Sequence, residues 1–237
     1  MPTIGNYATG TGGSYFSFSH TINGGSNRLL MFSVHAGGDS LGGSVCSGVT
    51  YNGIPMTLLP GSSVTHDYAR AAMYYMLESQ LPSAGTYTVG VSTTGDIWAT
   101  LGGTNCFSNV SQTVPFGTVS STKGYQYLSV STSVGDTIFS YATNGGNSDF
   151  EIWPTPPNLE LWRIDYGAYN WLVTGYIVAT TSPEWIYYSG DYDLSVVGVA
   201  IKPPSGISLT KNGVSPSNAL KYNGIEKNDI VKISGIE

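Results

Sequence analysis

The chain has 237 residues, 41% of them apolar and only 10% charged, with 31 glycines and 17 tyrosines. Soluble domains carry about 25% charged residues and disordered chains carry few aromatics, so this composition excludes disorder and fits a packed body with low self-repulsion. Residues 1–201 hold four cationic against twelve acidic side chains, net −8, and residues 202–237 hold five lysines against three acidic residues, net +2; the acidic body argues against a nucleic-acid surface, which needs clustered Lys and Arg.

The opening segment, MPTIGNYATGTGG, has neither a basic nor an apolar signal-peptide region, and no run approaches the roughly 18 apolar residues of a membrane span. Phe16, Phe18, His20 and Ile22 then alternate with Ser17, Ser19 and Thr21, the pattern of a half-buried strand. After the turn cluster Asn23–Asn27, Arg28 opens the apolar run Leu29-Leu30-Met31-Phe32, which reads as a strand covered on both faces. The two runs are expected to pair as a hairpin. A glycine-rich loop, Gly37–Gly48, follows. Asn52-Gly53 between apolar runs predicts a type I′ hairpin, and Pro55 places the second strand at an edge.

Ala69–Leu77 and Tyr87–Val91 read as strands, as does Ile97–Phe107, expected to be weakened or bulged at Gly102-Gly103. Tyr125–Ser131 and Thr137–Thr143 form a further expected pair joined near Gly135-Asp136. Asn144–Asn158 reads as a long loop with three prolines. Leu159–Asp165, Leu172–Thr180, Glu184–Tyr188 and Leu194–Ile201 complete about a dozen short strands without a convincing helix. This punctuation predicts an all-β fold: a two-sheet antiparallel β-sandwich of jelly-roll type over residues 1–202.

Residues 203–206 read as a semi-rigid linker. Beyond them, in 207–237, Asn212-Gly213-Val214, Asn223-Gly224-Ile225 and Ser234-Gly235-Ile236 recur every eleven residues. Such a repeat is too short to bury a core alone. It is expected to anchor or oligomerise the chain on a partner surface.

Catalytic signals are missing from the pattern. His20, His35 and His66 form no metal-ligand spacing. His20 is expected as a hydrogen-bonded core histidine, and His35 and His66 near loops. Cys46 and Cys106 are expected as buried free thiols. Asp191 and Asp193, near Asp165 or Glu184 only if the fold brings them there, have the residue types of a calcium site or a glycosidase pair, but a solvated strand edge explains them. No nucleophile elbow or phosphate loop is present. The expectation is therefore no enzyme, no cofactor and no metal. Aromatics offer the best binding residues, because their rings stack on sugar faces. Trp153, Trp171, Tyr169 and Tyr187 are the candidate glycan contacts, while Trp162 and Trp185, inside predicted strands, are expected in the core.

The order of five motifs carries a resemblance: FSHTINGGSNRLLMFSV, VTYNGIPMTLL, MYYMLESQLPSAGTYTVGVS, CFSNVSQTVPF and YDLSVVGVAIKP. Together they resemble a β-sandwich domain, over roughly residues 14–203, that recurs in tailed-phage structural proteins and in environmental bacterial proteins mostly without assigned activity. The tail, KYNGIEKNDIVKISGIE, looks like the short Asn-Gly repeats at the C-termini of phage and prophage virion proteins. The resemblance implies a virion or cell-surface structural role and brings no catalytic residues. The expected function is thus a virion-surface structural protein (head decoration, fibre or tail-associated subunit), assembled in the host cytoplasm, partnered by other virion proteins and homo-oligomeric through Asn212, Gly213, Asn223, Gly224, Ile225, Gly235 and Ile236. The alternative is a carbohydrate-binding module or an adhesin for a host surface glycan. Neither nucleic acid nor membrane is expected as a partner.

Overall fold

The structure, a computed structural model, describes residues 1–38, 45–66, 69–95, 99–125, 127–144, 153–155, 159–165, 171–180, 182–189 and 194–204, and four two-residue strands beyond them. The chain divides into two compact units, Met1–Pro203 and Pro204–Glu237. The first is built of antiparallel strands throughout. In chain order they are β1 (Thr3–Gly12), β2 (Tyr15–Ile22), β3 (Leu29–Gly37), β4 (Val45–Tyr51), β5 (Ile54–Pro55), β6 (Thr57–Leu58), β7 (Val64–His66), β8 (Ala69–Leu77), β9 (Gly85–Thr94) and β10 (Ala99–Ser108). They continue with β11 (Ser120–Lys123), β12 (Tyr127–Val130), β13 (Thr137–Asn144), β14 (Trp153–Thr155), β15 (Leu159–Asp165), β16 (Trp171–Val178), β17 (Glu184–Ser189) and β18 (Leu194–Ile201). A single 3-10 turn, Glu78–Gln80, is the only helical element among the described residues.

The antiparallel sandwich expected from the sequence is present twice. In the first half the inner sheet runs β1-β10-β3-β8-β6, with β7 also on β8, and the outer sheet runs β2-β9-β4-β5. In the second half the inner sheet runs β11-β18-β13-β16-β15 and the outer sheet β12-β17-β14. Replacing β1, β2, β3, β4, β8, β9 and β10 by β11, β12, β13, β14, β16, β17 and β18 carries the shared part of one order into the other; β6 and β15 take the same edge place, and β5 and β7 have no counterpart among the described strands. The two halves therefore share one strand topology.

Three apolar layers hold the four sheets in a stack. Phe16, Ile22, Val89 and Val91 of one outer sheet pack on Leu30, Phe32, Val34 and Met76 of the inner sheet beside it. Leu29, Met31, Met73 and Phe107 of that inner sheet pack on Phe139, Tyr141, Val197 and Val199 of the other. Ile138, Ala142, Val173 and Val196 then pack on Leu128, Val130, Ile186 and Tyr188 of the second outer sheet. The two inner sheets are thus covered on both faces. This is why β3 and β18 read as continuous apolar runs in an antiparallel fold: every residue of each is buried.

Local details repeat as well. Ile22 and Val130 each end an outer strand, seven positions before the first residue of β3 and of β13 respectively. Asn27 and Gly135, at the same place in the two connections, both have positive φ, 55° and 92°. Each is followed by a buried charge, Arg28 or Asp136. On the adjoining strand Tyr75 pairs with Met31 as Tyr176 pairs with Phe139.

Three expectations are corrected. β2 and β3 do not form a hairpin; β2 pairs with β9, and β3 with β10 and β8. The apolar sides of the two strands face each other across a core instead. The expected pairing of Tyr125–Ser131 with Thr137–Thr143 fails in the same way, since β12 lies on β17 and β13 on β16 and β18. No bulge interrupts the β10–β3 register at Gly102-Gly103. Those glycines make room for rings instead. A Cβ at Gly103 would stand 2.6 Å from the Trp162 indole, and one at Gly102 would collide with Phe32. The Asn52-Gly53 turn is as expected, with φ of 52° and 75°, and β5 is an edge strand.

The second unit contains two small antiparallel ladders. Leu209–Thr210 pairs with Gly213–Val214, and Lys221–Tyr222 pairs with Ile225–Glu226. In the second, the two residues between the strands are Asn223 and Gly224; in the first they are Lys211 and Asn212. Among the assembly residues, Gly213 and Ile225 lie in these strands, while Asn212, Asn223, Gly224, Gly235 and Ile236 lie outside the described residues.

Candidate ligand-binding face

Several buried polar groups are occupied in holding sheets together. His20 is 1% exposed, with Nδ1 3.1 Å from the Tyr51 hydroxyl and Nε2 3.3 Å from the Asn6 carbonyl oxygen. Burial lowers its pKa below the ordinary 6.5. This is the core histidine expected from its place on the apolar side of β2. His35, expected near a loop, lies two residues before the end of β3. It is fully buried in β3, and its Nδ1 lies 2.5 Å from Thr143 Oγ1 across the central layer. Trp162 Nε1 donates to Asn105 Oδ1 at 2.6 Å and Tyr141 donates to the Ser62 carbonyl at 2.9 Å, both also across that layer. Trp162, 3% exposed, is the core tryptophan expected. The side chain of His66 lies outside the described residues.

Charges are paired in the same spirit. The Arg28 guanidinium donates to both Glu78 oxygens, and Glu78 also accepts from the Arg28 amide at 2.7 Å. Those hydrogen bonds lower the Glu78 pKa and raise that of Arg28. Asp136 accepts from Lys202 Nζ at 2.6 Å and from the Ser133 amide at 2.7 Å. Glu184, one of the carboxylates considered for catalysis, points inward and accepts from the Thr180 amide at 3.0 Å. Asp191 and Asp193 lie outside the described residues, as does the side chain of Asp165. Cys46 and Cys106 are free thiols. Burial raises both pKa values, that of Cys106 to about 11, which suppresses thiolate reactivity. Among the described residues no three His, Cys, Asp or Glu side chains gather where a metal could sit, and no helix is long and apolar enough to cross a membrane.

Among the described residues, the outward face of the second outer sheet carries a row of exposed aromatic side chains. β17 alternates strictly: Glu184, Ile186 and Tyr188 are buried, while Trp185 and Tyr187 are 43% and 41% exposed. Ile186 enters the core, and the Tyr188 hydroxyl reaches Ser140 Oγ at 2.9 Å. That phase forces Trp185 outward, so its expected place in the core is corrected. The strand had been recognised; which of its faces the indole takes depends on the neighbours of β17. On β12, Leu128 and Val130 face in, and Tyr127 is 49% exposed. Tyr127 pairs with Tyr187, and Ser129 with Trp185. Tyr125, 54% exposed, extends the row. Ring centroids of Tyr125 and Tyr127 are 5.8 Å apart and those of Tyr127 and Trp185 6.1 Å, with planes inclined by 57° and 53°.

Of the four residues expected to contact glycans, only Tyr187 is described on this face. Trp153 lies in strand β14, opposite Ser189, where a proline-rich loop was expected. Trp171 opens β16 opposite Asp165. The side chains of both, and the whole of Tyr169, lie outside the described residues. Sequence reasoning missed Tyr125, Tyr127 and Trp185 as site residues. The available signal was period two counted from Ile186 and Leu128. No family model, curated protein or solved structure matches this chain.

Proposed function

We propose that this chain is a non-enzymatic structural protein of a virion surface, a head decoration, fibre or tail-associated subunit, displayed through its C-terminal segment. The observation that carries the reading is the division of labour at Pro203-Pro204. Residues before it form a closed four-layer body whose buried charges and histidines serve packing. The described residues after it form two-residue ladders. A two-stranded ladder of that length is not stable alone in water, which suits a segment that completes its structure on capsid or tail proteins or on copies of itself. The alternation of successive strands between facing sheets supports jelly-roll wrapping for each half.

Co-sedimentation tests the reading. The full chain and a chain ending at Ile201 are mixed with purified particles stripped of this protein. The full chain should pellet with particles and the shortened one should stay in the supernatant, with an unchanged circular dichroism spectrum. Equal pelleting of both, or of neither, would overturn the proposal.

A further inference from the structure

We infer that the outward face of β12 and β17 is a binding site for a neutral polysaccharide, with Tyr125, Tyr127, Trp185 and Tyr187 as stacking rings and Ser129 as a hydroxyl partner. The inference goes beyond a structural role on a particle and does not depend on how the chain is attached.

The first argument is internal. Counting back from Ile22 and Val130, the pair Thr21–Thr86 of the first half occupies the place of Ser129–Trp185, and Ser19–Thr88 occupies the place of Tyr127–Tyr187. The fold is satisfied there by small hydroxyl side chains, with Thr21 and Thr86 sharing a hydrogen bond at 2.8 Å. The outward positions at these two pairings therefore do not need aromatic rings, although the first half carries one exposed ring further along β2, Tyr15. Four large rings stand here, each more than 40% exposed, and a cluster of exposed aromatic surface marks an interaction site.

Size, charge and shape select the occupant. The rings of β12 and β17 span two strands and about four residues, roughly 10 Å by 13 Å, the length of a few sugar units. No outward position described on β12 or β17 carries a charge, and the body around it is strongly acidic, so an anionic glycan is repelled. Successive ring planes are inclined by more than 50°. A flat fused-ring ligand cannot lie on them, but a chain that rotates at each glycosidic bond can present one C–H face after another. The Tyr125 and Tyr127 hydroxyls, the Trp185 indole N–H and Ser129 then meet the sugar hydroxyls at the edges of the stack.

Affinity electrophoresis of the full chain tests this, in native gels cast with mixed-linkage β-glucan, xyloglucan, galactomannan or soluble starch, and with alginate as the anionic control. At least one neutral gel should retard the wild-type protein. Trp185→Ala and Tyr127→Ala should each weaken that affinity about tenfold, whereas Thr86→Ala and Thr88→Ala on the opposite outer sheet should leave it unchanged. If an alanine variant misfolds by circular dichroism, Trp185→Leu, which keeps apolar bulk without a ring, takes its place with the same expectation. Migration unaffected by every neutral glycan, strongest retardation by alginate, or retardation that survives loss of Trp185 and Tyr127 would each overturn the inference. So would a dimer in sedimentation velocity that Trp185→Ala dissociates, since the face would then be a protein interface.

Discussion

The first and second halves of the body share the order of seven strands, yet present different side chains at equivalent outward pairings. Across the outer sheet of the first half run Ser19, Thr21, Thr86 and Thr88; at the same pairings in the second half stand Tyr127, Ser129, Trp185 and Tyr187. Inward, the halves agree: Leu30 and Ile138, Met31 and Phe139, Tyr75 and Tyr176 hold equivalent places. The difference teaches where each constraint acts. Close packing fixes size and polarity on the inward positions, while outward positions are free to take up recognition. Even the charged clamps show it. Arg28 and Asp136 open equivalent strands with opposite sign, and each found its own counter-ion, Glu78 or Lys202.

The comparison can be broken most severely at the layer both halves share. Phe139 is fully buried there, edge-to-face with Phe107 at 5.7 Å. Phe139→Ala should cost about 3–5 kcal/mol in urea unfolding while the transition stays single. A second transition appearing in that variant would show that the halves fold separately. The clamps come next. Arg28→Met removes charged hydrogen bonds to a carboxylate that is itself one-third exposed and can rehydrate, so the expected loss is about 2 kcal/mol. Asp136→Asn, which keeps an oxygen for the Ser133 amide, should lose less.

A pH titration separates the halves further. The folded-state pKa of His20 lies below 6.5 because burial disfavours the charged ring, so folding holds fewer protons than the unfolded chain below that pH. Its contribution to stability is complete above pH 6.5 and declines as pH falls through the folded value. Glu78, whose pKa is lowered below 4.5 by Arg28, adds a second loss of the same sign at lower pH. Thermal midpoints should therefore fall on acidification, and His20→Gln should flatten the part of the curve between 6.5 and 4.5. The smallest effect belongs to the outer face: Trp185→Ala should change stability by no more than about 0.5 kcal/mol. A larger loss would make the indole part of the core rather than of a recognition surface.

Much of this architecture is legible in the residues. Alternation in β2, the unbroken apolar runs of β3 and β18, and Asn52-Gly53 identify strands and one hairpin without further information. Partners are not legible. A strand such as β2, half apolar, satisfies its pattern equally by pairing with β3 or by facing it across a core, and the six residues from Asn23 to Arg28 suit either. The duplication is hidden because equivalent inward positions keep size rather than identity, and because Asn27 and Gly135 reach positive φ with different residues. Trp185 shows the same limit at the site. Its strand was evident, but the face it takes follows from Ile186 and Tyr188 finding Leu128, Val130 and Ser140.

The claim on which the rest stands is that two equivalent halves share one central core. Native-state hydrogen exchange of the full chain tests it most directly. Amides of Leu30–Val34 in β3 and of Ile138–Ala142 in β13 should exchange last and with the same opening free energy, equal to that of global unfolding. If one set exchanges through a low-energy opening while the other stays protected, the halves are separate folding units and the shared core is contradicted.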